Sequence, residues 1–570
     1  MDQQHRTEFY AKHLVQGLRH ALSQLDRDPF SVTFGCFDRE YWAWATKDFA
    51  NFDLQRAIYP LSVAYTVPFD GNVWFESPRI LDWIRGAMAH CIRAQHANGS
   101  FDHHYPNEFS FVGVAFPLFE ITEAYKLLDQ SGAIRAHERT EWLSFFKRGA
   151  EFLCRTDELH GFISNHRMGA AAALLNVAAL SGETRYHTRA LNLIGSVRAR
   201  FNSAEGWPLE YTGADPGYQT LDTYYLASVD SLLDDNDFRE SIVLASVKFL
   251  HYFIHPDGSV GGEYGSRNSP LFFPAGFEIL AHFSPDAESI ARQGAEAIDN
   301  GNTPGLLDHD ERNFVPMLSA YARALLASRT GGAATPAEPP HHREFERYWP
   351  QAGFYVRSDA RHYSIIGLSK GGVFKVFDRM RRCIVAAHSG YILERRDGTL
   401  WSAQTHQDNA ISIDIEPGRE IPLAPERTVS VNAAFCSVLT DRLFTQFRFI
   451  LFRLFNFTVG RNLWLNDWVK RNIITARFIH RRQRSSVVQT RRFEFRGATI
   501  TFADSITGID PAEVRRLQGG DIFTTIYMAS SKYYRHAEKL EDTFSGINLA
   551  ERSGPLMYTY RLDERGLHLG

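Results

Sequence analysis

Ser164-Asn165-His166-Arg167-Met168-Gly169 runs directly into the alanine-rich stretch 170–175, and this part of the sequence organises the first half of the chain. Further along, Asp215-Pro216-Gly217-Tyr218 leads in the same way into an apolar run. Each stretch reads as a polar loop that feeds a helix, so the loop side chains should project at one end of a helical scaffold. The pattern predicts that Asn165, His166 and Tyr218 meet at one cleft.

The three side chains offer an amide, an imidazole and a phenol. These groups suit the removal of a weakly acidic carbon-bound proton beside a carboxylate, because the amide and the imidazole can hold the developing enolate charge. A purely structural interpretation also fits the spacing. In that interpretation Ser164 or Asn165 caps a helix and Tyr218 is a half-buried ring.

Bulk composition limits the class of protein. A chain of 570 residues can form two or three domains, each with its own core. Its apolar content of 44% and charged content of 22% are ordinary for a soluble globular protein, and a net charge of −4 indicates no nucleic-acid partner. The five cysteines show no paired spacing, which favours reduced thiols over a disulfide framework or a zinc site. The first residues contain no apolar signal region, so the sequence predicts a cytoplasmic protein.

The periodicity of the sequence changes along the chain. Helical segments separated by Gly, Pro, Asn and Asp turns recur through 1–329, a pattern typical of a toroid or solenoid of paired helices. Residues 330–347 begin with a Gly, Ala and Pro stretch that predicts a linker. Alternating strand patterns dominate 348–570. The predicted fold is a multidomain α+β chain, in which an (α/α) toroid precedes an antiparallel β-sandwich.

The two motifs, Ser164–Gly169 before an alanine-rich helix and Asp215–Gln219, resemble those of the heparinase II/III-like polysaccharide lyases and the related alginate lyases. The resemblance implies an incomplete (α/α) toroid followed by an antiparallel β domain. It also implies that Asn165 and His166 neutralise a uronate carboxylate, and that Tyr218 is a general acid or base. Dermatan-type uronyl C5-epimerases look similar and share the proton-abstraction step.

The resemblance further implies a catalytic histidine from the β domain, for which His388 and His406 are the candidates. Ser389 and Gly390 suit a close approach to a ligand and favour His388 slightly. Each histidine could instead lie at the end of a strand. The metal-binding run of His and Asp common in these lyases is not matched cleanly, and no metal or other cofactor is predicted.

Several polar loops supply candidate contacts to a substrate. Arg267 could form a bidentate pair with a carboxylate, a geometry that lysine cannot match. His103 and His104 are adjacent but lack a third spaced metal ligand, so sugar contacts or surface exposure explain them equally well. The other candidate substrate contacts are Trp207, Glu210 and Tyr264.

A basic aromatic segment at 441–485 interrupts the strand pattern. It combines many Arg with Phe and Trp, and it contains no uncharged run long enough to span a bilayer. Peripheral contact with a membrane, contact with an acidic glycan and an oligomer contact are the interpretations left open. No nucleic-acid motif accompanies the segment, so no nucleic-acid partner is predicted.

The function predicted from these features is removal of the C5 proton of a uronic acid in an acidic polysaccharide or oligosaccharide, with β-elimination. The first alternative is a uronyl C5-epimerase in cytoplasmic exopolysaccharide or O-antigen biosynthesis, acting on a lipid-linked glycan. A toroid glycoside hydrolase would need two opposed acids from Asp102, Glu210, Asp215 and Asp222. A glycan-binding protein without catalysis is the last alternative.

Overall fold

The computed structural model describes residues 1–159, 161–438, 445–475, 483–510, 512–519, 556–564 and 566–569. Helices fill the first part of the chain, and strands dominate from Phe345 onward. This order confirms the predicted fold class. Of the predicted segment 441–485, residues 441–444 and 476–482 lie outside the described ranges, as do residues 520–555 of the predicted β domain.

The α-helices are α1 (Gln3–Gln24), α2 (Arg39–Trp42), α3 (Ile58–Thr66), α4 (Pro78–Ala94), α5 (Val112–Gln130), α6 (Ala136–Arg155), α7 (Ser164–Ser181), α8 (Thr184–Arg198), α9 (Pro216–Leu233), α10 (Asn236–Phe238), α11 (Ala245–His251), α12 (Ala275–Leu280), α13 (Pro285–Asp299), α14 (Glu311–Ser328), α15 (Gln446–Phe457) and α16 (Leu463–Val469). The strands are β1 (Phe345–Trp349), β2 (Phe354–Ser358), β3 (His362–Gly367), β4 (Val373–Asp378), β5 (Cys383–His388), β6 (Tyr391–Arg395), β7 (Leu400–Ser402), β8 (Ala410–Ile413), β9 (Glu420–Ile421), β10 (Glu426–Val438), β11 (Arg484–Arg496), β12 (Thr499–Thr507), β13 (Val514–Gly519), β14 (Leu556–Asp563) and β15 (Gly566–Leu569).

The helical region is a two-layered ring. Helices α3, α5, α7, α9, α12 and α14 contact one another in this order, and α14 returns to contact α3. Helices α1, α4, α6, α8, α11 and α13 pack against them as an outer layer. This arrangement is the toroid that the sequence predicts.

Helix α7 shows why an inner helix needs small residues. Its first fourteen positions, apart from His166, are buried, because α5, α8 and α9 surround it. The run Ala170–Ala173 lets these neighbours approach closely, and a side chain at Gly169 would collide with the Phe116 ring of α5. A helix that is apolar on all sides is expected in such a buried position.

The strands form two antiparallel sheets. In the described residues, the first sheet has the order β5-β4-β3-β2-β1-β9, and the second has the order β13-β6-β7-β10-β11-β12-β14-β15, with β8 also paired to β10. Phe374 of the first sheet stacks on Phe502 of the second, with ring centroids 4.4 Å apart. The two sheets therefore pack face to face as the predicted sandwich.

The first sheet also packs against the helical ring. Trp349 of β1 lies 5.8 Å and 5.4 Å, between ring centroids, from Phe249 and Phe253 of the helical region. β1 starts inside the predicted linker, and we keep the division into 1–329, 330–347 and 348–570 as a proposal. Within the described ranges, no helix has both the length and the apolar character needed to cross a lipid bilayer.

Candidate active site

A cavity of about 850 Å³ lies at one end of the ring, where the inner helices α5, α7, α9 and α14 begin. Helix N-termini carry partial positive charge and favour anions, so their convergence suits an acidic ligand. The functional side chains on its wall are those of Asp53, Arg56, His103, His104, Glu108, Glu158, Asn165, His166, Tyr211, Tyr218, Arg312, Asn313, Asp467 and Lys470.

Asn165 is fixed at the cavity wall by the first turn of α7. Its backbone N–H donates to Glu210 Oε1 at 3.2 Å. Two residues earlier, Ile163 forms an antiparallel β-bridge with Glu210. The Ser164 hydroxyl donates to the Leu209 carbonyl at 2.8 Å. The 207–213 loop thus clamps the start of α7 and holds the buried Asn165 amide in place.

His166 is oriented by a carboxylate that sequence reasoning did not identify. Its Nδ1 lies 2.7 Å from Glu158 Oε2, and the edge of the Phe116 ring packs against the imidazole at 5.5 Å between centroids. A carboxylate at one ring nitrogen fixes the ring and its tautomer. The Nε2 side of His166 is therefore the side available to a substrate.

Tyr218 is positioned by the cap of α9. Asp215 accepts the Tyr218 N–H at 2.9 Å and, with its other oxygen, the Arg267 N–H at 2.6 Å. The Arg267 guanidinium lies 5.4 Å from the Tyr218 ring centroid and 4.1 Å from that of Tyr211. Arg267 thus lies behind the tyrosines of the cavity wall, and a cation in that place stabilises a phenolate.

His103 and His104 lie on the wall formed by the 102–108 loop. Glu108 accepts the backbone N–H groups of His103 at 3.1 Å and His104 at 2.6 Å. Burial, together with the neighbouring His104, lowers the pKa of His103 to about 4. His103 is consequently a neutral imidazole at neutral pH. No group of three or more His, Cys, Asp and Glu in the described chain is arranged to hold a metal ion.

Two cationic side chains reach the same cavity from distant parts of the sequence. Arg312 comes from the first turn of α14 and is exposed. Lys470 follows α16 of the β domain and donates to the Glu108 carbonyl. Burial lowers the pKa of Lys470, and the nearby Glu108 opposes that effect. The helical ring and the β domain therefore both contribute to the cavity wall.

Six predicted site residues do not line the cavity. Arg267, predicted to pair with a substrate carboxylate, lies behind Tyr211 and Tyr218, and Glu210 lies behind Asn165. The other four are Trp207, Tyr264, His388 and His406. Trp207 is buried, and its Nε1 donates to Glu205 at 2.8 Å, while the Tyr264 hydroxyl lies 2.8 Å from His255 Nε2 in the core. Of the two histidines of the β domain, His388 is inside the sandwich and His406 lies beside the helical ring. A side chain at Gly213 would collide with the His406 ring.

His388 is held by groups of its own domain. Its Nδ1 accepts the Gly390 N–H at 2.9 Å and lies 2.8 Å from the Arg491 guanidinium. Burial, together with the Arg491 charge, lowers the pKa of His388 to about 3. The local Ser389-Gly390 sequence therefore serves a turn of the sandwich, and the structure does not bring His388 to the cavity.

Glu210 lies directly behind Asn165 and forms a buried acidic pair with Asp222. Burial and the Asp222 charge raise the pKa of Glu210 well above its usual range. Burial also raises the pKa of Asp222 to about 8. Both shifts favour the protonated carboxyls, which lessens the negative charge behind Asn165.

Asp222 gives a testable dependence of stability on pH. Since its pKa rises from 3.8 to about 8 on folding, the stabilisation is complete below pH 3.8 and is lost as pH rises through about 8. We expect the thermal midpoint of Asp222→Asn to fall much less over this range than that of the wild type. Asp70→Asn, at an exposed position, is the control and should behave as the wild type does. The same dependence of the thermal midpoint on pH in Asp222→Asn and in the wild type would contradict the raised pKa of Asp222.

Lys370 of the β domain holds the loop that carries Arg267. Its ammonium donates to the carbonyls of Glu263 at 2.8 Å and Gly265 at 2.9 Å, and to the Asn268 side chain. A side chain at Gly217 would overlap the Ser269 carbonyl, so this loop packs directly against the start of α9. The β domain therefore positions Arg267 beside Tyr218.

Replacing Lys370 with methionine should destabilise the protein, because it leaves buried carbonyls without their donor. Each buried acceptor left without its bond costs about 1–3 kcal/mol. We expect a lower midpoint in denaturant unfolding and reduced turnover at the cavity. Lys12→Met, which changes an exposed lysine, is the matched control. Equal stability of the Lys370 and Lys12 variants would rule out the anchoring role.

The fold and the cavity define a class of protein, a helical toroid with a β-sandwich and an Asn-His-Tyr site. Residues 53–270 match the model of the ulvan lyase N-terminal domain, and this range contains Asn165, His166, Tyr218 and Arg267. The match confirms the resemblance to polysaccharide lyases that the sequence predicts. No curated protein sequence matches the chain.

Similar solved structures include three lyases. Paenibacillus xanthan lyase is 9% identical with a TM-score of 0.49, covering 89% of this chain and 46% of that chain. Streptomyces coelicolor A3 chondroitin AC lyase is 12% identical with a TM-score of 0.48, and the match covers 89% of this chain and 67% of that chain. A mutant of the heparan sulfate lyase HepC from Pedobacter heparinus is 9% identical with a TM-score of 0.46, and the match covers 87% of this chain and 69% of that chain. The chain spans about half the length of the xanthan lyase.

Proposed function

We propose that the chain is a polysaccharide lyase that removes the C5 proton of a uronate residue in an acidic polysaccharide. The observation that carries the proposal is the meeting of Asn165, His166 and Tyr218 at one cavity. The match of 53–270 to the ulvan lyase N-terminal domain supports it and makes ulvan the first substrate to test.

The first role is to bind and neutralise the uronate carboxylate. The Asn165 amide and the His166 imidazole donate hydrogen bonds to it, at the end of the ring where the inner helices begin. These bonds strengthen as negative charge moves from C5 onto the carboxylate, so they stabilise the enolate more than the bound ground state. Arg312 and Lys470 add positive charge to the same wall.

The second role is proton transfer by Tyr218. The Tyr218 phenolate, stabilised by the adjacent Arg267, takes the proton from C5, and the C5–H electron pair is delocalised onto the carboxylate. The C4=C5 double bond then forms as the C4–O bond breaks, and the departing oxygen takes the electron pair and a proton. Tyr218, now protonated, is placed to supply that proton.

We further propose His406 as the contributing histidine of the β domain. It lies against Gly213, in the loop that carries the cavity residue Tyr211. His388, by contrast, is engaged by Arg491 in the interior of the sandwich. His406 is therefore the candidate for relaying protons between the site and solvent.

The four acids that the sequence suggests for a hydrolase do not lie on the cavity wall. Asp215 caps α9, Asp102 lies 2.9 Å from His96, and Glu210 and Asp222 are buried behind Asn165. Among the described residues that line the cavity, none of these four is present. A hydrolase that used these four acids would need two of them facing each other across the substrate, so elimination fits better than hydrolysis by these residues. The acids that do line the cavity include Glu108 and Glu158, each bonded to a histidine of the same wall.

Incubation with ulvan, chondroitin sulphate and heparan sulfate tests the proposal. We expect ultraviolet absorbance from an unsaturated uronate to rise together with the number of chain ends. New reducing ends without absorbance would indicate a hydrolase. C5 deuterium incorporated without cleavage would indicate the alternative, a uronyl C5-epimerase acting on a polymeric or lipid-linked glycan. Binding without either change would indicate a glycan-binding protein.

A further inference from the structure

Helices α15 and α16 form a projection from the β domain onto the helical ring, near the cavity. On the inner side of α15, the Asn107 amide donates to the Asn456 carbonyl at 3.0 Å, and the rings of Tyr105 and Phe452 pack at 5.1 Å between centroids. Arg453 lies 3.2 Å from Asp48. These contacts fix which face of α15 points toward the protein.

The opposite face of α15 is an apolar stripe in solvent. Its members recur at intervals of three and four residues, as one face of a helix requires. Phe447 is 69% exposed and Leu454 57% exposed, and α16 adds Trp464, which is 71% exposed. The apolar residues on this face of α15 are Phe447, Ile450, Leu451, Leu454 and Phe457. Phe449 is also exposed but lies beside Arg453, 4.9 Å from the guanidinium to the ring centroid. A surface helix normally turns such a stripe toward the core, so an exposed stripe indicates a surface that binds a partner or a membrane.

The charges around the stripe are positive. Arg448, Arg461 and Arg471 are exposed, whereas Asp467 is the one acid in 445–475 and is only partly exposed. A second copy of the chain packed on this face would bring the same arginines together without acids to balance them. An acidic glycan would satisfy the arginines but leave the apolar stripe in contact with water.

We propose that α15 and α16 dock onto the surface of an anionic lipid bilayer. The stripe of Phe, Ile and Leu would lie at the boundary of the acyl chains, with Trp464 and the arginines at the level of the headgroups. Because Asp467 and Lys470 line the cavity, docking would hold its opening close to the lipid surface. This contact is independent of the chemistry proposed for the cavity.

Sedimentation with vesicles tests the proposal on the full-length protein. We expect binding to phosphatidylcholine vesicles that contain phosphatidylserine, weaker binding to phosphatidylcholine alone, and release as salt is raised. The double variant Phe447→Glu/Leu454→Glu should bind about tenfold or more weakly, because it replaces two apolar side chains of the stripe with carboxylates that the bilayer disfavours. Arg448→Glu should reduce binding and its salt dependence.

Met380→Glu is the matched control, since Met380 is 84% exposed and lies on the turn between β4 and β5 rather than on α15 or α16. It should bind vesicles as the wild type does. Failure of the wild type to bind anionic vesicles, or unchanged binding by the double variant, would overturn the proposal. A wild-type dimer that the double variant converts to a monomer, without vesicle binding, would assign the stripe to self-association instead. Turnover of a soluble polysaccharide should be unchanged in the double variant.

Discussion

Replacing Tyr218 with phenylalanine is expected to lower kcat by about 10²–10⁴-fold, the usual contribution of a general acid or base. The substitution removes the hydroxyl and keeps the ring, which is 5% exposed and packs against Arg267. Folding should therefore be preserved, and KM should change little because the carboxylate is bound by other groups. Steady-state kinetics on a verified substrate measures the effect.

Tyr264→Phe is the control for Tyr218→Phe. It also removes a single buried hydroxyl, but one that is bonded to His255 outside the cavity. We expect it to cost about 0.5–1.5 kcal/mol of stability and to leave kcat unchanged. Turnover by Tyr218→Phe close to that of the wild type would remove Tyr218 from the mechanism.

Asn165→Ala should lower kcat by about 10²–10³-fold, the effect of removing one donor to a developing oxyanion. The amide is proposed to act on the carboxylate as C5 loses its proton, so the loss should be larger in kcat than in substrate affinity. Measuring both kcat and the dissociation constant for an inactive substrate analogue separates the two effects.

Asn176→Ala is the matched control for Asn165→Ala because it removes a buried amide from the same helix. The Asn176 side chain donates to Thr122 and Glu123 rather than lining the cavity. It should destabilise α7 without affecting turnover by the folded protein. If Asn165→Ala folds and keeps its kcat, neutralisation of the carboxylate by this residue is excluded.

The fold class could be predicted because it depends on local patterns. The change from helical to alternating periodicity near Phe345 is visible in the sequence. The placement of Asn165 and Tyr218 at helix starts could be predicted for a related reason, since each lies in the first turn of a buried helix that follows a polar loop. The toroid fold then brings the starts of neighbouring inner helices to the same end of the ring.

The partners of these residues could not be predicted, because they come from other segments. Arg312 starts α14, and Lys470 belongs to the other domain. No local pattern relates them to Asn165. Only the closure of the ring and the packing of the β domain bring their charges to one wall.

The direction in which a loop side chain points could not be predicted from the sequence either. Trp207 and Tyr264 lie in polar loops, and an aromatic ring in such a loop can face either solvent or the core. Both rings are buried here. Ser389 and Gly390 favour His388 because they suit a close approach to a ligand, yet Gly390 instead donates its N–H to His388 in a turn inside the sandwich.

The central claim is that this cavity removes the C5 proton of a uronate, and proton NMR of a uronate oligosaccharide in deuterated water tests it most directly. The account predicts that the wild-type protein eliminates the C5 proton signal of the target residue as the C4 proton becomes vinylic, whereas Tyr218→Phe leaves both signals in place over the same time. Cleavage of the chain with the C5 proton fully retained in the products would contradict it.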